Sequence, residues 1–559
     1  MHALLVLSLV LPLLLALSLG SRLCSLAIQL VPVVALPALL LAASPGLEID
    51  LSWILLGMRL GVDDISALFL LLTGLVWTAS GCYAWHYMRQ DSEQTRFYFF
   101  YLLTYCGNLG VMLALDAASF YLFFTVLSLA AYGLIVHDGS ALARRAGRVY
   151  LILAILGEVL LLIALLQLGA VLGNPALNQL AAALAALPDQ DVLIGFVLAG
   201  FAIKMGVVPL HVWLALAHPA APTPASAVLS GIIIKAGLVG WLRFLPLGEM
   251  VLPQWGALCL GMGLFSTFYG ALVGVPQERA KTVLAYSSIS QMGLLTSLLG
   301  IGLMVPQSWP LILATMLLFS LHHGLAKAAL FLGVGVTGQS GAWAGWILVL
   351  PALALTGAPL TSGALAKLLV KNAASVAPMV WTIGLTKLLS LSSLATALLM
   401  IRFLYLAWPH RQKNSISPWL WLPWLSLIAL GAWLPWWWAA GRFPGAAVET
   451  LKPDVVIESL WILLAAGVLA LTVWGSWRAE GFSWFLPEGD ILQPVSRLIR
   501  LLPRNHASAK RKKRLLPARP LGRMANWLRS SDQWLRLWNV IGTLFLLLTI
   551  GLLAVLIRG

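Results

Sequence analysis

The sequence predicts an all-α fold, a polytopic bundle of about 14–16 transmembrane helices. Three observations carry this. Sixty per cent of the 559 residues are hydrophobic and only 10% are charged, whereas a soluble domain carries about a quarter charged residues. Mean hydropathy is +0.93. Apolar segments recur along the whole chain at about 20 residues, the length that crosses a hydrocarbon core as a helix and twice that of a porin strand. A water-soluble globular protein and a disordered chain are both excluded.

In order, the spans are expected near 2–20, 24–44, 64–84, 97–115, 117–136, 149–172, 191–213, 225–246, 252–275, 282–302, 309–336, 344–370, 378–408, 417–440, 456–477 and 537–557. The run from Ala3 to Leu19 resembles a signal peptide but lacks its basic n-region. A second apolar run follows at once from Leu23, so the first reads as a retained span.

The net charge of +15 would suggest nucleic acid in a soluble protein. Here lysine and arginine sort by side of the membrane. With the N-terminus outside, twenty-four basic residues fall on the inside and six outside, the latter Arg59, Arg243, Lys371, Arg442, Lys452 and Arg558. The segment 478–536 alone holds thirteen basic residues against four acidic ones. Both termini are therefore expected outside, and this segment in the cytoplasm, in a multi-pass protein of the cell inner (plasma) membrane. Its run Lys510-Arg511-Lys512-Lys513-Arg514 reads as a topology anchor on anionic lipid, with no nucleic-acid partner. Met524–Leu537 suits an interfacial helix, and five prolines keep the segment from forming one long helix.

Several chemistries are not expected. The four cysteines have no paired spacing, so neither disulfides nor zinc or iron–sulfur ligation is expected. Gly333-Val-Gly335-Val-Thr-Gly338 matches a dinucleotide motif in letters only, since no strand precedes it. Adjacent His322 and His323 point to different faces of a helix, which argues against a metal site. The tryptophans of 419–438 read as interfacial belt. No cofactor, no metal and no catalytic site is expected.

Charge inside the spans is more telling. It consists of Glu158, Lys204, Lys235, Lys327, Lys367 and Lys387, with His211, His322 and His323. Each charge costs roughly 2.5–3.5 kcal/mol on insertion scales. Snorkelling suits Lys387 near a span end. Charges spread over consecutive spans read instead as an ion or proton pathway. Lysine suits it, because burial brings its proton affinity into a usable range and a nearby carboxylate reverses that effect. Two spans also carry helix breakers beside a lysine: Lys204-Met-Gly-Val-Val-Pro209, and Gly357-Ala-Pro359-Leu-Thr-Ser-Gly363 before Lys367. Broken helices in two halves point to paired half-channels from inverted repeats.

The stretch from Lys204 to Arg243, KMGVVPLHVWLALAHPAAPTPASAVLSGIIIKAGLVGWLR, resembles the core signature of antiporter-like proton-translocating subunits. These include the large membrane subunits of respiratory complex I, the Mrp antiporter subunits, and their counterparts in energy-converting hydrogenases and formate hydrogenlyase. AHPAAPTPAS and LSGIIIKAG are nearest the hydrogenase type. AKTVLAYSSISQMG (280–293), HGLAKAALFLG (323–333) and GAPLTSGALAK (357–367) extend the resemblance over about residues 60–410.

The resemblance implies two inverted five-helix repeats, each with a broken helix. It divides the chain into N-terminal helices (1–95), a first half-channel (96–250), a second (251–410), additional helices (411–477), the basic segment (478–536) and a terminal helix (537–559). It implies that Lys204 stores a proton and Lys235 connects the half-channels. His323 and Lys327 would serve the second half-channel, and Lys367 the exit. Ser287, Ser288 and Ser290 would lie between. One departure stands out: the family's glutamate in the fifth helix is here Thr125, which cannot toggle a lysine. Glu158, one helix later, is expected to pair with Lys204 in its stead.

The function expected is a proton-conducting membrane subunit of a redox-driven complex, with chemistry confined to partner subunits. Two alternatives stand beside it: a subunit of a cation/proton antiporter exchanging sodium or potassium, and a mainly structural arm with altered conduction.

Overall fold

A computed structural model of the chain describes residues 1–185, 187, 190–408 and 417–480. The chain divides into two compact units, residues 1–49 with 59–492, and residues 50–58 with 493–559. Of the second, residues 50–58 are described; there Trp53 and Leu56 are exposed. The first unit is helical.

Its helices are α1 (His2–Ser18), α2 (Cys24–Leu30), α3 (Leu36–Ala42), α4 (Asp64–Tyr87), α5 (Gln94–Leu113), α6 (Ala117–Ile135), α7 (Ala141–Leu172), α8 (Leu177–Ala185), α9 (Gln190–Met205), α10 (Val212–Ala220) and α11 (Thr223–Val228). A five-residue π-turn, Leu229–Ile233, leads into α12 (Lys235–Phe244). Then come α13 (Pro253–Gly274), α14 (Ala280–Met304), α15 (Trp309–Thr337), α16 (Ala342–Thr356), α17 (Ser362–Ala374), α18 (Met379–Ala407), α19 (Pro418–Ala440), α20 (Ala446–Glu449) and α21 (Pro453–Glu480). Two short strands, Leu47–Leu51 and Met58–Val62, depart from the all-helical expectation. Leu-Glu-Ile-Asp-Leu alternates with the period of a strand.

Among the described residues, eleven helical segments are long and apolar enough to cross a membrane. Others of the expected spans are met by shorter pieces such as α1 and α16. The span expected near 537–557, the basic run 510–514 and the interfacial helix 524–537 lie outside the described residues.

Setting aside the short α8, and counting each broken helix as one and α11 to α12 as one, residues 94–244 and 253–407 hold the same series: three helices, a broken helix and a fifth. α9 and α10 form the first broken helix, α16 and α17 the second. α15 stands at the centre, packing on α4, α11, α14, α16, α17 and α19. The span Thr223–Phe244 is buried throughout and Ala280–Met304 from Thr282 on, whereas little of Pro453–Thr472 is buried. Ser287, Ser288, Ser290 and Gln291 all sit on enclosed α14, where protein groups can receive them.

Outside the spans, Asp63 caps α4 and is paired with Arg243 at the end of α12, both guanidinium nitrogens meeting its carboxylate. Burial alone would raise the Asp63 carboxyl; the hydrogen bonds and charge of Arg243, with the Ser66 N–H, hold it below the usual carboxylate value. At the end of the fifth helix of the other series, Arg402 donates to the Gln277 carbonyl at 3.0 and 2.9 Å.

Candidate functional site

The first broken helix opens where Gly206, at φ +71°, and Pro209 interrupt the ladder between Met205 and Val212. Gly206 closes a short turn onto the Ile203 carbonyl, and Val207 reaches back to Ala202. Lys204 therefore occupies the last turn of α9, only 5% exposed. Its ammonium donates to Ser128 Oγ of α6 at 2.9 Å and lies 5.2 Å from the Phe124 ring centre. Gly157 and Gly200 let α7 approach α9: a Cβ on Gly157 would meet the Gly200 carbonyl at 3.2 Å. That approach brings Glu158, 7% exposed, into the same small cavity as Lys204. Ser128, Tyr150 and Trp213 complete its polar lining.

Thr125 takes part as well. Its hydroxyl donates to Glu158 Oε2 at 2.7 Å, while Oε1 is buried without a protein partner. Glu158 and Lys204 share the cavity but form no ion pair within 4.0 Å; each is held by a hydroxyl of α6. His211 lies in the break, its ring edge-on to Tyr269 at 5.2 Å.

The middle of the bundle holds Lys235, fully buried. The π-turn widens the helix just ahead of it, and such turns recur at functional sites. Lys235 donates to the carbonyls of Ser230 and Gly231 at 3.0 and 2.6 Å, and meets His323 Nδ1 at 3.0 Å. Ser230 and Ser288 exchange a hydrogen bond of 2.8 Å. Ser288 and Lys327 both donate to the Leu284 carbonyl, at 3.0 and 2.9 Å. The structure thus gathers Lys235, His323, Lys327 and two serines from three helices. The hydroxyls of Ser287, Ser290 and Ser320 are buried nearby in sequence without protein partners.

The second broken helix ends at Gly357, at φ +81°, in the left-handed conformation that closes a helix. Thr361 caps α17 by accepting from the Ala364 N–H. Pro359 lies between. Gly363, expected in the break, falls instead in the first turn of α17. Its role is close packing, since a Cβ would fall 1.6 Å from the Ala354 carbonyl. Lys367 donates to the Thr356 carbonyl at 2.7 Å, one side of the break bonding the other. His322 meets Ser362 Oγ at 2.9 Å. Lys387 is exposed.

Sequence reasoning missed several members. Ser128 and Tyr150 carry no signal that separates them from ordinary helix-packing residues. His218, inside AHPAAPTPAS, is buried against the Phe331 ring at 4.5 Å with neither ring nitrogen bonded to protein. Lys281 lies in the first turn of α14 and donates to the Ala221 carbonyl at 2.9 Å.

Comparison with known proteins follows this geometry. The family model described as "NADH:quinone oxidoreductase/Mrp antiporter, TM" matches residues 114–394, half of the chain. NAD(P)H-quinone oxidoreductase chain 4 2 of Thermosynechococcus vestitus is 35% identical over 298 residues, 52% of each chain. Hydrogenase-4 component B of Escherichia coli is 30% identical over 290 residues, 50% of this chain and 43% of that one. NADH-quinone oxidoreductase subunit M of Rhodobacter capsulatus is 32% identical over 336 residues, 56% of this chain and 64% of that one. The chain spans about half the length of the curated relatives it matches. Among solved structures, the Mrp complex from Dietzia sp. shares the fold with a TM-score of 0.72 at 20% identity, covering 98% of this chain and 63% of that one. The membrane-bound sulfane sulfur reductase, an archaeal respiratory membrane complex, does so with a TM-score of 0.66 at 20% identity, covering 82% and 99%. This polytopic membrane protein belongs to the NADH:quinone oxidoreductase/Mrp antiporter transmembrane family.

Proposed function

We propose that the chain is a proton-conducting membrane subunit of a larger, redox-driven ion-translocating complex, working beside other membrane subunits and lipid. One observation carries the reading: ionisable side chains, buried from Glu158 and Lys204 through Lys235, His323 and Lys327 to His322 and half-buried at Lys367, are interleaved with hydroxyls and carbonyls. Packing alone does not accumulate such charges in apolar helices. Each lysine has acceptors for its charged form and can pass a proton on when a neighbour's charge changes. Glu158 takes the acidic role beside Lys204, with Thr125 orienting its carboxyl. Both helix breaks lie beside a lysine, an interruption of regular backbone that membrane interiors tolerate where ions or protons pass.

The test is proton flux in vesicles holding the intact complex. Lys235→Ala is expected to reduce it at least tenfold without loss of assembled complex. Unchanged flux would remove Lys235 from the path. Flux coupled obligatorily to sodium or potassium would favour the antiporter reading. We further place both termini outside and residues 478–536 in the cytoplasm of the plasma membrane. Accessibility of single cysteines introduced at 510 and 558 to a membrane-impermeant thiol reagent tests that placement, with only 558 expected to label from outside.

A further inference from the structure

Beyond Lys367 the polar groups continue. Lys371 lies four residues on, on the same face of α17, where side chains one turn apart are neighbours. It forms an ion pair of 2.5 Å with Glu458 of α21, which also accepts from Ser390 Oγ of α18 at 2.6 Å. The Lys371 and Glu458 side chains are 24% and 43% exposed. Apart from the exposed Asp454 in its first turn, α21 carries no other charge through Thr472, so a half-exposed carboxylate on this spanning helix is costly, and a simple tie between α17, α18 and α21 could be made by apolar contacts. What the pair adds is charge control one helical turn from Lys367.

Few other charges bear on these groups. α16 and α19 carry no ionisable residue, and α14, which also packs on α17, carries Lys281 and Tyr286. From α15, the His322 ring lies within electrostatic reach of Lys367. On α20, Glu449 is taken by Lys452 at 3.9 Å, and on α21 Asp454, one turn before Glu458, is exposed. Lys387, one turn before Ser390 on α18, is exposed. Lys371 is thus the cation that acts on Lys367, and Glu458 the carboxylate that neutralises it.

We propose that Glu458, acting through Lys371, is a positioning residue that sets how firmly Lys367 holds a proton and so gates release at this end of the relay. With the pair closed, Lys371 is neutralised and Lys367 keeps its proton. With Glu458 turned to solvent or protonated, the bare Lys371 charge drives the proton off Lys367. This rests on the proton-conducting reading above.

The experiment measures the pH profile of proton flux in vesicles holding the intact complex. Lys367→Ala is the control for the underlying reading: if flux is unaffected, that reading fails and the gate with it. If flux falls, the gate is tested separately. Glu458→Gln leaves Lys371 uncompensated and is expected to move the alkaline limb of the profile down by about one pH unit. Lys371→Gln leaves the carboxylate instead and is expected to move it up. The double variant is expected to return to the wild-type profile, and Glu458→Asp, which keeps the charge, to stay there. Profiles that do not move, shifts of the same sign in the two single variants, or a double variant no better than Glu458→Gln would overturn the proposal. Should Glu458→Gln fail to accumulate, the upward shift of Lys371→Gln decides alone.

Discussion

The two broken helices solve one problem differently. In the first, the lysine precedes the break and is enclosed; in the second it follows the break and is half-buried. Lys204 shares its cavity with a carboxylate, each held by a hydroxyl of the same neighbouring helix. Lys367 bonds the Thr356 carbonyl, and the acid that matters to it lies beyond a second lysine. The same backbone device thus serves two electrostatic settings: one in which the opposite charge acts directly, and one in which it acts through an intermediary. The break supplies the lysine's acceptor only in the second, where it is the Thr356 carbonyl; the placement of acid decides what each lysine can do.

The comparison can be broken most sharply at Glu158. Glu158→Gln is expected to reduce proton flux by about tenfold or more, a loss of roughly 1.4 kcal/mol or more of barrier control. Unchanged flux would mean that the first site works without its acid. Thr125→Glu placed in the Glu158→Gln background is expected to recover flux to within about threefold, because the carboxylate would then sit on α6 facing the same cavity. Close packing at the breaks is next. Gly363→Ala is expected to cost about 3 kcal/mol, since its Cβ meets backbone at 1.6 Å. Gly237→Ala, whose nearest neighbour would be the Phe201 carbonyl at 2.7 Å, is expected to cost less. Thermal midpoints of the purified complex in detergent check that order. The smallest effect is at the helix ends. Because Arg243 holds the Asp63 carboxyl low, its contribution is present above the unfolded value near 4 and is lost as pH falls through the lower folded value. The melting temperature of the wild type is therefore expected to decline more steeply below about pH 4 than that of Asp63→Asn.

Much of this was legible in the sequence. Charges in apolar helices are rare enough that Lys204, Lys235, Lys327, Lys367 and Glu158 identify themselves, and the structure brings them to two breaks and one buried cluster. Pro209, Gly357 and Pro359 mark the breaks because their backbone chemistry ends helices wherever they stand. The partners were harder to see. Ser128 looks like any helical serine, since such residues usually bond their own preceding turn; only the approach of α9 reveals it as a lysine acceptor. Thr356 and Leu284 act through carbonyls, which no side chain announces. Thr125 read as a loss, a glutamate replaced; the structure shows it gripping the acid one helix away. Gly363 was assigned to the break because glycine both interrupts helices and permits close approach, and the sequence does not distinguish the two uses.

The π-turn has a consequence for how α12 meets the two series of helices. An α-helix turns through about 100° per residue, so one extra residue in a turn rotates everything after it by that amount. Residues 235 and 237, beyond the turn, consequently face in different directions than an unbroken helix would give them. Lys235 reaches His323 of the second series, while a Cβ on Gly237 would touch the Cβ of Lys204 at 3.1 Å in the first. Two residues of one helix thereby border both lysine neighbourhoods. The widened turn acts as a phase step that sets one rod in register with two different machines, and removing a single residue from 229–233 would put it out of step with both.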